Sequence, residues 1–114
     1  DKENLQRGTE TVKEQVKTDL INLMLTEPGE RVHLLGYGVG LKSMLFSHRI
    51  DLKNLNTNID KQIKTYLPQI QLKDVQSNFA KKDHILYIKI VYKYNLDGDM
   101  DAIQLNFNKD NYAV

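Results

Sequence analysis

Residues 85–107 read ILYIKIVYKYNLDGDMDAIQLNF, and their period decides the fold. Leu86, Ile88, Ile90, Tyr92 and Tyr94 occupy alternate positions, as do Ile103, Leu105 and Phe107. Successive side chains of an extended chain point to opposite faces, so this alternation marks strands buried on one side. Asp97-Gly98 lies between the two runs. It is a hairpin signal, because Gly takes the positive φ that a tight turn needs. A slip of one residue would turn the whole apolar set to solvent, so Leu86, Ile88 and Ile90 are expected to face the core.

Working outward, Ile70, Leu72 and Val75 begin an earlier strand, and Lys81-Lys82-Asp83 turns it into the next. Before Pro68 the period is helical. Val12, Val16, Leu20, Leu23 and Met24 share one helix face, with Thr11 and Glu14 in the capping-box arrangement, which predicts a helix over 11–25. Pro28-Gly29 ends it in a turn. Leu41, Met44, Leu45 and His48 mark a short second helix. Asp51 caps a third, which carries Leu52, Leu55, Ile59, Ile63, Tyr66 and Leu67 until Pro68 stops it. The sequence therefore predicts an α+β fold, three helices followed by a three-stranded antiparallel β-meander. Residues 1–10 are polar and are expected to form an N-terminal arm, and residues 11–114 a single domain.

Composition narrows the function. At 114 residues with 40% hydrophobic and 27% charged side chains, the chain suits one soluble domain with a modest core. The net charge is +1, with seven acids and seven bases in residues 1–50 and eight acids and nine bases in residues 51–114. That balance offers no basic face for nucleic acid. Cysteine is absent, which excludes disulfides and thiolate metal sites and fits a reducing compartment. No apolar run approaches the ~18 residues of a membrane helix, and the first residues lack a signal-peptide core, so no membrane partner is expected.

Three constellations imitate chemistry. Gly36-Tyr37-Gly38-Val39-Gly40 is GxGxG rather than GxGxxG and follows no predicted strand, so tight backbone turning explains it better than phosphate binding. Asp97, Asp99 and Asp101 resemble the start of a calcium loop, but Ala102 and Asn108 stand where an EF-hand needs its Gly and bidentate Glu. His33, His48 and His84 are too far apart in sequence to form a helical ligand pair. Glycosidase chemistry needs facing carboxylates, one with a raised pKa, whereas Glu30 sits beside Arg31, whose charge acts in the opposite direction. No enzyme, cofactor or metal site is expected.

The segment NLMLTEPGERVHLLGYGVGLKSMLF, residues 22–46, resembles the small baseplate wedge subunit of contractile phage tails, the GPW or gene-25-like family, which includes the TssE subunit of type VI secretion baseplates. The matching positions are Gly29-Glu30-Arg31, the aromatic-Gly pair Tyr37-Gly38, then Gly40-Leu41 and Leu45-Phe46. The likeness in order and spacing runs from about residue 11 to 107. Where the family commonly has Glu-Pro-Arg, this chain has Leu67-Pro68-Gln69, which keeps the helix break and loses both charges. The resemblance implies a structural part of a baseplate, in a phage, a secretion system or an extracellular injection particle. It would be assembled in the bacterial host cytoplasm within a rotationally symmetric hetero-oligomer. Its implied partners are other wedge subunits, met at Leu67, Pro68 and Gln69, and the tail sheath, met at the edge strand Ile103-Gln104-Leu105-Asn106-Phe107. Glu30 and Arg31 are expected to fix the glycine loop. The alternative is a stand-alone cytosolic protein-binding regulator with the same fold. The "lysozyme" label sometimes attached to the family finds no support in the carboxylates.

Overall fold

Leu86, Ile88 and Ile90 have no exposed surface in the computed structural model. The structure describes residues 2–46, 50–108 and 112–113, with side chains from Thr11 to Leu45 and from Ile50 to Asn108. The element order is α1 (Lys2–Leu25), α2 (Leu41–Phe46), α3 (Leu52–Tyr66), β1 (Ile70–Ala80), β2 (Ile85–Tyr94), β3 (Met100–Phe107) and β4 (Tyr112–Ala113). The strands form one antiparallel sheet in the order β1-β2-β3-β4. Three helices precede a three-stranded meander, as the alternation predicts, and a two-residue strand is added beside β3.

The core lies between the helices and one sheet face. Val16, Leu20, Leu23 and Met24 of α1 and Leu55, Ile59 and Ile63 of α3 are buried with Leu86, Ile88, Ile90, Tyr92, Ile103, Leu105 and Phe107. Each fully buried Leu or Ile contributes roughly 1.5–3 kcal/mol relative to an exposed one. On the opposite face the register places Lys89 between Gln76 and Gln104, all three exposed. β1 carries a bulge between Leu72 and Asp74, which accommodates Lys73 and resets the strand so that Val75 returns to the inner face.

Local signals act as expected at most junctions. Asp51 accepts a 3.1 Å hydrogen bond from the Asn54 N–H and caps α3. The Glu30 N–H bonds the Glu27 carbonyl at 3.1 Å across Pro28-Gly29, with Gly29 at φ 92°, which is a type II turn. Helix α1 differs from expectation. It begins at Lys2, so Thr11 lies inside the helix and is not its N-cap. The sequence KENLQRGTE contains no proline and is rich in straight-chain helix formers, with one Gly that costs about 1 kcal/mol. The expected arm is thus continuous with the helix. His48, expected on α2, lies outside the described residues.

Candidate protein–protein interface

The glycine loop is held by both long helices. α1 ends at Leu25, which leaves its last carbonyls without helical donors. The Val39 N–H bonds the Leu23 carbonyl at 2.9 Å and the Gly40 N–H bonds the Thr26 carbonyl at 3.1 Å. From α3, the Gln62 amide, only 9% exposed, accepts from the Gly38 N–H at 2.9 Å and donates to the Gly36 carbonyl at 2.8 Å. The Asn58 amide donates to the Val39 carbonyl at 3.3 Å. The amides of residues 38–40 are therefore all engaged, and none is available to a phosphate.

These contacts explain the motif. Gly38 has φ 120°, and a Cβ there would lie 2.2 Å from the Thr26 carbonyl oxygen, so only glycine fits. Gly40 precedes α2 and lacks a side chain to cap it. Glu27 supplies the missing oxygens, accepting from the Ser43 N–H at 2.9 Å and the Ser43 hydroxyl at 2.8 Å. The sequence reading missed Glu27 in this role, because its partner is sixteen residues away with no periodic link. Arg31, expected to fix the loop, lies with its Cζ 4.6 Å from the Tyr37 ring centroid. Glu30 is exposed and forms no ion pair among the described residues, so Glu27 is the carboxylate that orders this region. Tyr37 is buried edge-on against Tyr66, ring centroids 5.1 Å apart, and burial raises its phenol pKa. Leu45 is in the core and Gly29 has open space around it. The side chain of Phe46 lies outside the described residues.

At the end of α3 one expectation is corrected. Leu67 is 3% exposed, not a surface residue. It leaves the helix at φ −125° and ψ 66°, and its side chain joins the core cluster while its N–H still bonds the Ile63 carbonyl. Replacing it with Asp would test burial, not contact. Pro68 and Gln69 are exposed, and their carbonyls accept from the Asn95 side chain at 2.7 Å and the Asn95 N–H at 3.0 Å.

The β3 edge is shorter than expected. The Tyr94 N–H to Asp99 carbonyl bond sets the phase of the ladder, and two-residue alternation then directs the main chain of Ala102, Gln104 and Asn106 away from β2. The Asp101 carboxylate takes the Ala102 N–H at 2.8 Å, and Asn106 and Phe107 pair with Ala113 and Tyr112. Among the described residues no strand lies beyond Met100–Leu105. Ile103, Leu105 and Phe107 are buried on the inner face, so the edge offers main chain together with the Gln104 side chain.

Near the start of β3, the three aspartates hold lysines. Lys13 meets Asp97 at 2.9 Å and Asp99 at 2.8 Å, and Lys17 meets Asp101 at 3.4 Å. The Tyr94 hydroxyl donates to Asp101 at 2.7 Å, and Lys13 lies 5.2 Å from the Tyr94 ring centroid. The Asp99 N–H and Lys13 hold the Asp97 carboxyl below its ordinary range. Burial pushes Asp101 up, but bonds from Tyr94, the Ala102 N–H and Lys17 outweigh it and leave its pKa lowered. The two ammonium groups thus tie α1 to the β2–β3 turn.

Comparison with known proteins places this geometry in context. A family model described as baseplate wedge protein gp25 matches residues 10–99, from α1 through the β2–β3 turn. A protein from Geobacter sulfurreducens described as a candidate tail lysozyme superposes with a TM-score of 0.72 over 85% of this chain and 90% of its own, at 21% identity. That likeness is one of fold. A chain of the anti-feeding prophage baseplate superposes with a TM-score of 0.52 over 83% of this chain and 67% of its own, at 26% identity. No curated protein matches the sequence.

Proposed function

The chain belongs to the baseplate wedge protein gp25 family, and on that premise we propose that it joins other wedge subunits at Pro68-Gln69 and offers the β3 edge as a template for the tail sheath. A structural role in a baseplate follows from the family. The finer reading draws its support from the edge at Gln104. Its outward main chain lies between the Asp101 carboxylate and β4, and no proline or charged side chain lies between them to blunt it. An extended arm from a sheath chain would add there as a strand, with affinity from main-chain hydrogen bonds. Such a subunit works in a symmetric hetero-oligomer assembled in the host cytoplasm.

Gln104→Pro removes one outward donor without removing a bond to β2, and Gln104→Ala changes only the side chain. Baseplates carrying Gln104→Pro should nucleate sheath poorly, and those carrying Gln104→Ala should do so normally. Circular dichroism would check that both variants are folded. Equal sheath growth on folded Gln104→Pro baseplates, scored by electron microscopy, would overturn the reading.

A further inference from the structure

We propose that residues 31–35 form a pre-ordered apolar knob that inserts into an apolar groove, rimmed by carboxylates, on a different protein chain of the assembly. Val32 is 80% exposed, Leu35 67% and Leu34 42%. Single exposed aliphatics are ordinary on a soluble protein, but three within four positions concentrate exposed apolar surface in one short segment.

The patch is not a loose loop. The Gly29 N–H closes it onto the Leu35 carbonyl at 3.0 Å, and inside it the Leu34 N–H meets the Arg31 carbonyl at 3.2 Å. The Tyr37 N–H bonds the Leu34 carbonyl at 3.0 Å, and Arg31 lies over the Tyr37 ring. The ordering cost that a binding loop usually meets on association is therefore already met in the free chain.

Arg31 sets the chemistry of the partner. No carboxylate among the described residues pairs with Arg31, as is true of most of the described lysines; what sets Arg31 apart is its place over the Tyr37 ring beside three exposed aliphatic side chains. Its guanidinium lies over the Tyr37 ring at the base of the knob. An Arg beside exposed aliphatic side chains is a hot-spot composition, and a planar fork is best satisfied by a carboxylate. The occupant's groove is thus apolar at its floor and acidic at its rim.

The position agrees. Tyr37 packs edge-on against Tyr66, the last residue of α3, so the base of the knob is anchored at the end of α3 that Pro68-Gln69 follow in the chain. This inference rests on the baseplate reading only for the existence of a partner chain, and it is independent of the sheath edge.

The test places a photo-crosslinking phenylalanine derivative at position 35 of the full chain, incorporates it into baseplates, and identifies cross-linked peptides by mass spectrometry. The expected product joins position 35 to one other wedge chain, at an apolar segment that contains Asp or Glu. Arg31→Glu should lower the yield about tenfold, and changing that partner carboxylate to Lys should restore it. Because position 35 is exposed, the melting temperature of the free chain should shift by less than about 3 °C. Cross-links to a second copy of this chain, or none from a chain that is present in the particle, overturn the knob and leave the baseplate reading standing. A folded chain that never enters the baseplate overturns both.

Discussion

Gly38 has room for no side chain: its φ is 120° and a Cβ would stand 2.2 Å from the Thr26 oxygen. Gly29 also has a positive φ, 92°, but nothing within 4 Å. Gly38→Ala should therefore cost about 3 kcal/mol or more, a fall in melting temperature on the order of 10 °C or greater, while Gly29→Ala costs only about 1 kcal/mol for the backbone. Thermal unfolding of the two variants side by side checks this, and equal losses would mean that the close approach is not what demands glycine. At this scale the sequence was partly legible. The glycines could be read as sites of tight backbone turning, because glycine has few other uses in such a cluster. Gln62 could have been noticed as an amide on the apolar stripe of Ile59, Ile63 and Tyr66, but nothing local says that it binds the main chain of residues 36 and 38. Leu67, which the resemblance implies as a wedge contact, is buried because it follows the last helical residue, where backbone direction, not sequence, decides which way a side chain points.

The lysine–aspartate tie between α1 and the β2–β3 turn acts between elements and gives a pH dependence of definite sign. Asp97 and Asp101 have lowered pKa values in the folded chain. Their contribution is therefore present above the unfolded value of about 3.9 and is lost as pH falls through the lower folded values. Lys13 is raised above its ordinary value, so its contribution persists through the neutral and mildly alkaline range. The melting temperature should hold from pH 7 to about 5 and drop by several degrees on the way to pH 3. The double variant Asp97→Asn, Asp101→Asn should start lower at pH 7 and lose less on acidification, measured by scanning calorimetry. An identical acid loss in both proteins would assign the titration elsewhere. The sequence showed these aspartates only as a turn, since Lys13 lies 84 residues before Asp97. The strands were legible because alternation is a local property that burial of one face imposes. The start of α1 was not, because a capping-box pattern also fits inside a longer helix, and β4 is too short to carry a period.

For the whole molecule the expectation is assembly without turnover. Among the described residues the two carboxylates displaced from their ordinary pKa, Asp97 and Asp101, are both held low, the wrong direction for a general acid. Glu27 is committed to Ser43. Purified protein should hydrolyse neither peptidoglycan nor nucleotides at rates above a buffer blank. Turnover that disappears in Glu30→Gln would refute this. The hydrogen bonds around the glycine loop also bear on the order in which the chain can finish folding. Synthesis delivers α1 first, but the carbonyls of Leu23 and Thr26 must wait for Val39 and Gly40, and that loop is locked only when Gln62 arrives. The Gln62 bonds, spanning 24 and 26 residues, close larger rings of chain than the two main-chain bonds do, so their entropic cost is met only once α3 has begun to settle on the sheet. The last turn of the first helix is therefore among the last parts of the domain to become secure.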